Sequence, residues 1–65
     1  MDEFNIIKEF KVIDEVAVEY NPVLGKYEVS VSGIDSNDSS NLEVFIFDNK
    51  KDAYNFQDAV VNYFQ

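Results

Sequence analysis

The run KEFKVIDEVAVEY, from Lys8 to Tyr20, alternates with a period of two. Phe10, Val12, Val16, Val18 and Tyr20 share one parity, and Glu9, Lys11, Glu15 and Glu19 share the other. A strand places successive side chains on opposite faces, so this run reads as a long strand with one wet face. Asp14 falls on the apolar parity, with Ile13 and Ala17 on the polar one. A bulge near Ile13–Asp14–Glu15 resolves the conflict, because one extra residue switches the facing.

The rest of the chain is organised around that strand. In NPVLGK, residues 21–26, Pro22 fixes its own φ and Gly25 can adopt the left-handed conformation that closes a hairpin loop. Tyr27, Val29 and Val31 then alternate with Glu28, Ser30 and Ser32, which predicts a second strand over 27–33. A third is expected over 42–47, with Leu42, Val44 and Ile46 inward and Glu43, Phe45 and Phe47 outward. From 50 to 64 the period changes. Ala53, Phe56, Val60 and Tyr63 or Phe64 recur at three- and four-residue steps on one helical stripe, with Asp48 or Asn49 as the cap; with Asn49, Asp52 falls three residues later. Residues 1–7 are an arm or an extra turn. The expectation is a single small α+β domain spanning 1–65, a β-β-β-α order in which one C-terminal helix packs on one face of a three-stranded antiparallel sheet.

Composition sets what such a domain can do. A chain of 65 residues buries only roughly 60% of its unfolded surface. Small domains commonly gain stability from a disulfide, a metal or a partner. The sequence contains neither cysteine nor histidine. Disulfides, thiolate metal sites, imidazole bases and imidazole zinc ligands are therefore excluded. Gly25 and Gly33 are too isolated to make a phosphate-binding loop. No catalytic residue, cofactor or metal is expected, and the protein is read as not an enzyme.

The formal charge is −8, and all 5 bases are lysine. That balance repels phosphate backbones and anionic membranes, so neither nucleic acid nor membrane is an expected direct partner. A protein with a basic surface is the natural electrostatic partner. The Met1–Phe4 start lacks the pattern of a secretory signal, so a cytoplasmic location is expected.

DSNDSSN, residues 35–41, is the most polar stretch. Asp35, Asn37 and Ser39 match the first three ligand positions of a calcium loop, but Ser40 stands where the turn glycine belongs and Ile46 where the bidentate glutamate belongs. The preferred reading is a connector held by local Asp and Asn turn bonds, with a recognition loop as the alternative.

Two faces are candidates for binding. Glu9, Glu15, Glu19, Glu28 and Glu43 share the polar parity of the sheet, and Phe45 and Phe47 are expected on that same outward side. An acidic face suits a basic groove or is simply solvated, and the aromatic pair is covered by a foreign partner, by the N-terminal segment around Phe4, Ile6 and Ile7, or by a second copy in a homodimer. The run SGIDSN at 32–37, followed by LEVFIF at 42–47, resembles the strand-loop-strand part of an anti-CRISPR protein. The size and acidity are likewise similar to small phage-encoded inhibitors of bacterial defence, including acidic DNA mimics. This resemblance implies a stoichiometric inhibitor that occupies a basic surface on a host nuclease or other defence protein, within the cytoplasm of an infected bacterium. The alternative is a homo-oligomeric structural or regulatory domain that pairs through its aromatic sheet face.

Overall fold

The computed structural model describes residues 4–65. In chain order the elements are α1 (Phe4–Ile7), β1 (Phe10–Asn21), β2 (Lys26–Asp35), β3 (Ser40–Phe47) and α2 (Lys50–Tyr63). The strands form an antiparallel sheet in the order β1-β2-β3, and α2 packs on one face. The α+β class and the β-β-β-α order follow the expectation. The segment before β1 supplies a helical turn whose Ile7 is fully buried.

Both hairpins close through side-chain oxygens. Asn21 Oδ1 accepts from the amides of Val23 and Leu24, and Gly25 takes φ +67°. In the second turn Asp35 Oδ1 accepts from the Asn37 and Ser39 amides, at 2.9 and 3.0 Å. The Asp35 and Asp38 backbones also bond, and Asp38 adopts φ +64°. The polar stretch is thus a hairpin connector. Asp is among the few non-glycine residues that enter the left-handed region readily.

The long first strand is bent. Its register against β2 shifts between Phe10 and Val12 and again between Ile13 and Glu15, so Lys11 and Asp14 are the extra residues. The bulge anticipated at Asp14 is present; the one at Lys11 is additional. The one at Asp14 moves Val12 off the parity of Val16 and Val18, and the one at Lys11 returns Phe10 to the buried side. Val12 pairs with Ile34 and is exposed, whereas Ile13 packs against the core. Gly33 lies where β1 bends closest. A Cβ on Gly33 would sit 2.0 Å from the Val12 carbonyl oxygen, so no side chain fits there.

The core lies between the sheet and the helices. Ile7, Phe10, Val29, Val31, Phe45, Ala53 and Val60 are buried. Of the two expected caps, Asn49 is the one that caps α2: its Oδ1 accepts from the Asp52 amide at 2.9 Å, and its Nδ2 donates to Asp52 Oδ2 at 3.1 Å. The helical stripe ends on Phe64, which packs against the core, while Tyr63 is exposed.

The facing of β3 is the reverse of the expectation. Val29 lies opposite Phe45, Val31 opposite Glu43 and Tyr27 opposite Phe47. Cross-strand partners share a face, so Phe45 and Phe47 point toward α2, and Glu43 shares their side. Leu42, Val44 and Ile46 occupy the open face. Phe45 is 8% exposed, against 60%, 49% and 47% for those three. Both phenyl rings meet Phe56 of α2, with centroids 4.9 and 5.2 Å away. β3 is apolar on both parities, so alternation alone does not orient it. The two phenylalanines bury more area than the aliphatic set, and the helix takes that side.

Candidate partner-binding face

The sheet face opposite α2 is the candidate site. Its rows follow from the register. From β1 to β3 they read Val12–Ile34–Ser40, Glu15–Ser32–Leu42, Ala17–Ser30–Val44 and Glu19–Glu28–Ile46, with Asn21 beside Lys26 at the end. Neighbouring strands lie about 4.8 Å apart. Glutamates therefore hold the β1 side of this face, small serines occupy the middle, and an aliphatic column runs along β3.

Of the seven residues nominated by sequence pattern, three come together here: Glu15, Glu19 and Glu28. Glu9 lies between α1 and β1, exposed, with its carbonyl accepting from the Ser36 amide at 2.9 Å. Glu43, Phe45 and Phe47 belong to the helix side. The reason for nominating the two phenylalanines, an outward aromatic patch, does not hold, because both rings pack under α2.

The acidic group has a definite local structure. Glu19 and Glu28 face each other across β1 and β2, an arrangement that like charges disfavour. Asn21 Nδ2 donates to Glu28 Oε2 at 2.9 Å and fixes that carboxylate. Lys26 is engaged instead by Asp48, just beyond β3, through a hydrogen-bonded ion pair. The Lys26 ammonium holds the Asp48 carboxyl below its usual range, by hydrogen bonding first and by charge second. At the far end Lys11 Nζ bonds Asp38 Oδ1 at 2.6 Å. Both lysines that border the acidic rows are thus paired at the sheet's ends.

Sequence pattern alone missed Leu42, Val44 and Ile46. The signal that locates them is the turn. Once Asp35 and Ser39 close a three-residue loop, counting forward along β3 and back along β2 sets Phe45 against Val29. The alternation of β2 is unambiguous, and it then dictates the face of β3.

No family model, curated protein or solved structure matches the chain.

Proposed function

We propose that the protein is a protein-binding inhibitor whose open sheet face docks on a basic surface that carries an apolar strip. One observation carries this reading: Glu15, Glu19 and Glu28 share the sheet face opposite α2 with the exposed Leu42, Val44 and Ile46. Charge accelerates and orients encounter, whereas buried apolar contacts lengthen residence. A face with an acidic half and an aliphatic half supplies both. The net charge of −8 favours a partner that normally handles nucleic acid, since such proteins present basic grooves. The strand-loop-strand resemblance narrows this to an anti-defence role against a bacterial nuclease or related protein.

The test is a pull-down from bacterial lysate with tagged protein, run beside a Glu15→Lys/Glu19→Lys/Glu28→Lys variant that keeps its far-UV circular dichroism. The wild type is expected to retain a basic nucleic-acid-binding protein that salt releases, and the variant to lose it. Equal retention by the folded variant overturns the reading.

A further inference from the structure

We infer that the outer edge of β3 pairs with β3 of a second copy, joining two sheets into one of six strands. The edge is not the open face, and the inference stands independently of the docking reading above.

The hydrogen-bond pattern of the second hairpin defines that edge. Its closing pair, Asp35 and Ser39, is bonded through the Asp35 amide at 2.9 Å. Bonded and non-bonded pairs alternate along an antiparallel ladder. Gly33–Asn41, Val31–Glu43 and Val29–Phe45 are therefore bonded, and the backbone groups of Leu42, Val44 and Ile46 point away from β2. The Leu42 amide agrees: it donates to the neighbouring Asn41 Oδ1 at 2.8 Å.

A long regular edge of this kind is a template for another strand, and natural sheets blunt it with lysine, proline or a bulge. Residues 40–47, SNLEVFIF, contain neither lysine nor proline, and β3 pairs with β2 without a register shift. The occupant is argued from register and charge. An antiparallel self-pairing centred on Val44 sets Leu42 against Ile46 of the second copy, and Val44 against Val44. Leu42, Val44 and Ile46 then pair with aliphatic partners, and their side chains form one strip across the joint. Glu43 falls opposite Phe45 of the second copy. Moving the centre to Glu43 would instead place two carboxylates face to face, which is unfavourable.

Charge does not forbid this dimer. The closest like charges are the two Glu43 side chains, diagonal neighbours across the joint about 7–8 Å apart, and they supply the main repulsion. The glutamates of β1 in the two copies stand five strand spacings apart, about 24 Å. That is well beyond the ~8 Å screening length at physiological salt. Residual repulsion makes dimerisation strengthen as salt rises. Attraction to a basic partner weakens under the same change. The opposite salt responses separate failure of this inference from failure of the docking reading.

The experiment is sedimentation velocity on the intact chain across a concentration series at low and high salt. The expected result is a concentration-dependent shift from the 7.5 kDa monomer toward twice that mass, enhanced by salt. Val44→Pro removes an amide that β2 does not use and is expected to abolish the shift. Val44→Lys, which places two ammonium groups at the centre of the joint, serves if the proline variant unfolds. Glu15→Lys/Glu19→Lys/Glu28→Lys is expected to retain the dimer. A monomeric mass at every concentration and salt overturns the inference and leaves the edge to a foreign strand. A dimer that persists in folded Val44→Pro or Val44→Lys overturns it equally.

Discussion

The two outer strands of the sheet solve the same problem differently. β1 is bulged at Lys11 and Asp14, studded with charge, and tied to the helix by Gln57, whose Nε2 donates to the Val16 carbonyl at 2.9 Å. Val31 directs its backbone groups to β3, so the Val16 carbonyl faces outward from β1. Gln57 therefore occupies part of that strand's free edge. β3 has no register shift and a single charged side chain, Glu43. At its edge, among the described residues, only the Leu42 amide has a neighbouring side chain, Asn41, bonded to it. Bulges, charge and side-chain cover are the devices that keep edges from pairing. Their concentration on β1 marks β3 as the edge left available.

The largest effect is expected where the bend of β1 depends on a single residue. Ala at position 33 would place its Cβ against the Val12 carbonyl, a backbone atom that cannot swing aside. Gly33→Ala is expected to cost about 2–4 kcal/mol, a large share of the roughly 3–10 kcal/mol typical for a chain of this length. Urea unfolding measures it. A loss below about 1 kcal/mol would mean that β1 can pair without its close approach at Val12, which would remove the geometric contrast between the edges.

Legibility in the sequence tracks how one-sided each element is. β2 and α2 bury one face and wet the other, so their period reads directly from residue order; the cap was narrowed to Asp48 or Asn49, and the structure uses Asn49. For β1 the mismatch at Asp14 exposed one bulge, because a charge fell on an apolar parity. The bulge at Lys11 gave no such sign: Lys11 was already on the polar parity, and Val12 looked inward. β3 was opaque for the opposite reason. With aliphatics on one parity and phenylalanines on the other, both faces look buried, and only the turn's bonding count breaks the tie. The same ambiguity hid the candidate site. Glu15, Glu19 and Glu28 were legible from alternation, whereas their aliphatic neighbours on β3 required the register.

A smaller effect sharpens the role of Gln57. Gln57→Ala deletes one partly buried side-chain hydrogen bond and uncovers the Val16 carbonyl. The expected loss is about 1 kcal/mol, or roughly 4–8 °C in a domain of this size. Differential scanning calorimetry reads the shift. If β1 owes its protection to the bulges and charges, the variant keeps the self-association behaviour of the wild type while losing stability. A new, larger assembly in Gln57→Ala would instead make the helix contact the main guard of that edge.

The smallest effect concerns the clip between β2 and the end of β3. Asp48 is fully exposed and its carboxyl lies below the ordinary 3.8 because Lys26 hydrogen-bonds and attracts it. A carboxyl whose pKa is lowered on folding contributes stability above its unfolded value and loses it as pH falls through the folded one. Asp48→Asn should thus lower the melting temperature slightly near neutral pH, and the difference from the wild type should shrink as pH falls below about 4. Salt should shrink it too, since the pair is solvent-exposed. Melting curves of both proteins across that range measure the difference. A gap that stays constant into acid would assign the effect to the Asn side chain rather than to the charge, and Lys26 would then count as a free cation beside the acidic rows. That outcome would weaken the contrast between an acidic β1 side and a neutral β3 side of the open face.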